Sequence, residues 1–139
     1  MAMTIDVERV DGDPQVTVVT LDGELDASNY ERVIDVVRTA YSDGSRGLVL
    51  DLGKLSFMAS SGLFALHSAV RIMRGETPPD PEGGWGALHE MSRDDAEEAN
   101  VRIAGAQEAI SRVLERTGMT RLFGIDVSRS DAIAALQGG

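Results

Sequence analysis

The chain contains no cysteine. Disulfides, cysteine-based zinc centres and thiol chemistry are excluded outright, and the absence fits a reducing compartment. Histidine is nearly as scarce. His67 and His89 stand far apart, without an HExxH pattern, and give no basis for a metal site. Aromatic residues make up 4% of the chain, with one tryptophan, Trp85, in a glycine-rich stretch. That is thin lining for a small-molecule pocket. No apolar run approaches the roughly 18 residues that cross a bilayer. The opening MAMTIDVERV lacks the basic-then-apolar pattern of a secretory signal, so the expectation is a soluble, cytoplasmic protein. Neither a P-loop nor a GxGxxG pattern occurs. Ser60 and His67 lie seven residues apart on one expected helix, or about 10 Å, too far for a nucleophile and its base. The expectation is a protein that is not an enzyme and that holds no cofactor and no metal.

Charge of one sign is in excess. Against 13 basic residues stand 23 acidic ones, a formal net charge of -10 over 139 residues. Such a balance argues against direct contact with nucleic acid or anionic membrane. The acid is unevenly placed. Between Gly75 and Ala99 lie Glu76, Asp80, Glu82, Glu90, Asp94, Asp95, Glu97 and Glu98, with Arg93 as the only base. This stretch also holds Pro78, Pro79, Pro81, Gly83, Gly84 and Gly86. It reads as an acidic insert in one domain covering 1–139, dispensable for folding because it buries little and loop closure costs grow slowly with length. A helical turn capped by Ser92 fits its second half.

Periodicity organises the rest. Met3, Ile5 and Val7 alternate as an outer strand with one face buried, and Asp11-Gly12-Asp13-Pro14 turns the chain into a second strand over Val16–Leu21. Tyr30, Val33, Ile34, Val37 and Tyr41 form a helical stripe; Ser28 with Glu31 fits a capping box, and Asp43-Gly44 a stop. The run LVLDL, 48–52, suits a central strand buried on both faces. A helix then opens at Ser60-Ser61-Gly62, carries Leu63, Leu66, Val70 and Met73, and stops at Gly75. Val101–Ala104 reads as a strand, and Ala106 to Gly118 as an amphipathic helix. Phe123, Ile125 and Val127 alternate as a short strand, and Ser130 is placed to cap a last helix. The order predicts an α/β fold with a mixed, mostly parallel sheet of four to five strands and about four helices.

The segment Phe57-Met58-Ala59-Ser60-Ser61-Gly62-Leu63 is the sharpest feature. Two hydroxyls lie between a strand and a helix. One reading makes Ser60 an N-cap. The other uses the same physics, since a helix start with free N–H groups and partial positive charge tolerates a phosphate. The acids Asp22, Glu24 and Asp26 cluster after the second strand and read first as a solvated turn.

LDGELDASNY, LVLDLGKLSFMASSGL and a helix ending ERTGM before a phenylalanine strand together resemble the STAS domains, most closely the bacterial anti-sigma factor antagonists. The resemblance covers 3–74 and 101–136. It implies a STAS-like fold and a regulatory module that binds an anti-sigma factor of the histidine-kinase-like ATPase type and so releases a sigma factor, by partner switching. ATP and magnesium would belong to the kinase. It implies Ser60 as the phosphoacceptor, with Ser61 as second candidate, and Gly62 as the residue that lets the backbone turn tightly. It also implies a partner surface of Asp22, Glu24, Asp26, Ser28, Met58, Ala59, Ser60, Ser61, Gly62 and Leu63. Two departures stand out. Ala59 occupies a position where the family commonly has aspartate, so phosphorylation and constitutive binding both stay open. The acidic insert replaces a short turn. An alternative within the family is a soluble subunit of a membrane transport complex, with phosphorylation irrelevant. A homodimer stays open too.

Overall fold

The computed structural model describes residues 2–76 and 100–138. The acidic insert, with Trp85, His89 and the turn expected at Ser92, lies almost wholly outside them. Five strands form one sheet in the order β1-β2-β3-β4-β5: β1 Met3–Val10, β2 Val16–Leu25, β3 Gly47–Met58, β4 Val101–Ala104 and β5 Gly124–Asp126. Strand β1 pairs antiparallel with β2, and the other three ladders are parallel. Four α-helices lie among the described residues: α1 Tyr30–Ser42, α2 Ser60–Met73, α3 Glu108–Arg116 and α4 Arg129–Leu136. A 3₁₀ turn, Met119–Leu122, precedes β5. The expected α/β class, mixed sheet and four helices are all present.

The pleat sends alternate residues to opposite faces. Val19 and Leu21 of β2, Leu48, Leu50 and Leu52 of β3 and Ile103 of β4 join α1, α2 and α3 in the large core. On the other face Val16, Val18, Val49 and Ala104 meet Ala132 and the half-buried Ile133 and Leu136 of α4, with the half-buried Val10 of β1 at the edge. That thin apolar contact is reinforced by charge. The Arg129 guanidinium donates to Asp51 Oδ2 at 2.9 and 3.1 Å, to Glu8 Oε2 at 3.1 Å and to Thr20 Oγ1 at 2.8 Å, tying α4 to three strands. Removing one partner of a shielded charged hydrogen bond costs about 1–3 kcal/mol. Arg129→Met is therefore expected to lower stability by about 1–2 kcal/mol in urea unfolding. Glu8→Gln, which touches only the exposed edge of the cluster, should cost near zero.

Several expectations are corrected. Strands β2 and β3 run four and six residues beyond the expected ends at Leu21 and Leu52, because Asp22 to Leu25 pair with Lys54 to Met58 through two register shifts. Bulges absorb the polar residues that broke the alternation. The capping box at Ser28 does not form: Asn29 is the N-cap of α1, and Ser28 bonds Asp26 instead. Ser128, not Ser130, caps α4, its Oγ accepting from the Asp131 amide. Strand β5 has three residues, and Val127, 87% exposed, lies past its end. In β1, Met3 is buried but Val7 is 48% exposed, over a shallow groove shared with Val36 and Ala40 of α1. A second copy adding antiparallel to this edge with Val7 facing Val7 would set Asp6 opposite Glu8, a destabilising pair.

Candidate functional site at the start of helix α2

The long ladder between β2 and β3 carries both strands to one end of the sheet, where α2 begins. The Ala59 amide donates to the Leu25 carbonyl at 2.9 Å, joining the end of β2 to the start of α2. Ala59, extended at φ -83° and ψ 175°, is the N-cap and offers no side-chain oxygen. Ser60 is thus the first helical residue and not the cap. Its side chain is exposed, while the Ser61 Oγ is buried without a hydrogen-bond partner. The Ala59 carbonyl accepts from Gly62 N at 2.9 Å and Leu63 N at 3.2 Å. Helix geometry leaves the amides of Ser60 and Ser61 with no intrahelical acceptor, and no acidic residue sits in this first turn. The end therefore presents open N–H groups and the positive end of the helix dipole beside an exposed hydroxyl.

Gly62 has another task than the one expected of it. Its backbone is helical, so no tight turn is needed. A Cβ there would come within 2.6 Å of Met58 Cγ and 2.9 Å of Leu25 Cγ. Glycine is required because α2 starts hard against the strand ends. At the far end of α2, Gly75 adopts φ +79°. Its amide reaches Ile72 O and that of Glu76 reaches Arg71 O, each at 2.9 Å, the left-handed helix stop read from the sequence.

Asp22 and Glu24 lie in β2 and not in a turn, and the connection from β2 to α1 that carries Asp26 is ordered by Asn29, which is buried. Its Oδ1 accepts from the Asp26 amide at 2.9 Å and its Nδ2 donates to Glu24 O at 2.8 Å. Asp26 in turn accepts from the Ser28 amide at 2.9 Å and hydroxyl at 2.5 Å. These two bonds, the hydroxyl one first, hold its carboxyl below the usual aspartate range, so it stays charged. Tyr30 meets Phe64 edge-on, ring centres 6.1 Å apart, which fixes the start of α1 against the second turn of α2.

The ten expected partner residues thus gather at one end of the sheet, but they do not all face outward. Asp22, Ser28 and Ser60 are exposed; Glu24, Asp26, Ala59 and Ser61 are half-buried; Met58, Gly62 and Leu63 are turned into the core. His67 is fully buried within α2. Two residues escaped sequence reasoning. Asn29 was hidden by the better-looking box at Ser28, although asparagine is itself a favoured cap. Phe57 lies past the strand end expected at Leu52, yet it belongs to β3 and is 49% exposed. Its signal was a lost alternation, since Leu55 and Met58, three apart, both point inward across a bulge. No described helix is long and apolar enough to cross a membrane.

Comparison with known proteins agrees with this architecture. A stretch of 50 residues is 44% identical to Osmosensory protein A of Mycobacterium tuberculosis, covering 36% of this chain but only 31% of that protein. An anti-sigma factor antagonist from Mycobacterium paratuberculosis superposes with a TM-score of 0.69 at 22% identity, over 97% of this chain and 94% of its own. The Bacillus cell fate determinant SpoIIAA in its phosphorylated form gives 0.57 at 19%, over 96% and 99%. At such identities the two structures speak to the fold. The family model of the STAS domain matches residues 5–76, more than half of the chain, including Asp22 to Ser28 and all of α2, and the chain accordingly belongs to the STAS domain family.

Proposed function

We propose that this protein is an anti-sigma factor antagonist of the cytoplasm, which binds an anti-sigma factor of the histidine-kinase-like ATPase type and so frees a sigma factor for transcription. The observation that carries this reading is the exposed Ser60 hydroxyl at a helix start, on a fold shared with an anti-sigma factor antagonist and with a protein known in a phosphorylated form. Ser60 is the proposed phosphoacceptor. The added group would carry about -1.5 to -2 charge at neutral pH, and the open amides and dipole of α2 lie at that end to tolerate it. The change therefore acts on what docks there and leaves the fold in place.

Ala59 bears on the rate of that switch. With no carboxylate beside Ser60, the kinase meets an apolar neighbour there. The reading accommodates slow transfer, or a constitutive antagonist with no transfer. Pull-down from the native host tests the class of partner: recovery of a kinase-like ATPase supports the reading, and recovery of a transporter subunit replaces it with the transport alternative. Incubation of the recovered pair with ATP and magnesium, followed by mass spectrometry, then tests the acceptor. Phosphate on Ser61 alone removes Ser60 from the role.

A further inference from the structure

Strand β4 ends at Ala104 opposite Asp51, while β3 continues to Met58 beside β2. One surface of this extension is closed by the core, with Leu21, Leu25, Leu55 and Met58 buried. The opposite surface carries Asp22 paired in register with Lys54, and Glu24 with Phe57. Helix α4 packs on that face only farther down the strands, around Val16, Val18, Val49 and Ala104. Phe57 is left 49% exposed, one of four large apolar side chains so placed among the described residues. The other three, Val7, Ile125 and Val127, lie on the two edge strands or just past them. Phe57 alone stands within three residues of Ser60.

We propose that Phe57 is the apolar anchor of the anti-sigma-factor interface, and that the partner receives it in an apolar pocket rimmed by basic side chains facing Asp22 and Glu24. The inference rests on the function proposed above and extends it from the Ser60 tip to the outer face of the β2–β3 extension. An aromatic ring surrounded by polar groups is the usual build of an interface hot spot, where the rim excludes water from the centre. The ring does not fill the core, so its apolar surface gains most by burial against another molecule. The rim chooses among partners. Two acids with one lysine disfavour a phosphate-bearing ligand. A two-fold contact would set this patch, net negative with Asp22 and Glu24 against Lys54, on its own copy, which disfavours self-association through this face.

The test measures binding of wild type, Phe57→Ala, Phe57→Leu, the double variant Asp22→Lys with Glu24→Lys, and Ser60→Asp to each purified histidine-kinase-like anti-sigma ATPase of the host, at low and high salt. Phe57→Ala should bind at least about tenfold more weakly, chiefly through faster dissociation. Phe57→Leu should recover most of that loss. The double variant should associate more slowly and lose salt dependence. Thermal midpoints of the Phe57 variants should match wild type, since the ring is half in solvent. If Phe57→Ala binds as wild type while Ser60→Asp is weakened, the anchor is wrong and the anti-sigma reading stands. If no ATPase binds the wild type, both fall. Tighter binding by the double variant overturns the basic rim. A sedimentation change in Phe57→Ala, with ATPase binding unaltered, makes the patch a self-contact and overturns the proposal.

Discussion

Ser60→Asp is expected to weaken partner binding at least tenfold while leaving urea unfolding within about 0.5 kcal/mol of wild type. The two halves of that expectation have separate causes. The hydroxyl is exposed and makes no capping bond, so nothing in the fold depends on it. A carboxylate in the first turn meets the positive end of the helix, a favourable contact worth about 0.3–1 kcal/mol. Binding is another matter. A partner that packs over Ser60 must strip water from the new charge, at several kcal/mol if it goes unpaired, and each 1.4 kcal/mol is tenfold in affinity. Ser60→Ala should keep both stability and binding, because it removes only an unbonded hydroxyl, and should resist any switching off. Ser61→Ala, the control, should still accept phosphate. Calorimetric titration against the ATPase reads all three. Wild-type affinity in Ser60→Asp would mean that the start of α2 lies outside the interface.

Gly62→Val should cost about 2–3 kcal/mol, seen as a lower urea midpoint at constant slope. The first added carbon already stands 2.6 Å from Met58 Cγ and 2.9 Å from Leu25 Cγ. Both side chains are buried and cannot swing into solvent. Valine's extra methyls add to the crowding, and its better helix propensity returns only a few tenths of a kcal/mol. Gly62→Ala should cost less, because alanine recovers close to 1 kcal/mol of helix propensity. The same clash pushes the start of α2 away from Leu25 and displaces Ser60, so partner binding should fall beyond what lost stability explains. Unfolding of Gly62→Val at the wild-type midpoint would show that α2 can move off the strand ends freely.

The legibility of this protein in its sequence was uneven, for reasons visible in particular residues. LVLDL announced a central strand because both faces of β3 are buried there, by Leu48 and Leu50 on one side and Val49 on the other. Gly75 announced the end of α2 because a left-handed stop, here at φ +79°, strains any residue that carries a Cβ. Ser28 misled because two side chains competed to close one loop. The winner, Asn29, bridges the Glu24 carbonyl and the Asp26 amide at once, which a serine hydroxyl is too short to do.

Local pattern, then, determined the strand and helix types, the central place of β3, the position of Ser60 at a helix start and the likeness to STAS domains, since each is set by periodicity, turn residues or a short motif within one element. Tertiary structure alone decided which of the expected partner residues face outward, why position 62 must be glycine, and that Phe57 faces solvent. Those depend on how far β2 and β3 travel together, on two register shifts between them and on the distance at which α2 packs against their ends. Such quantities belong to pairs of elements distant in sequence, and no single segment carries them.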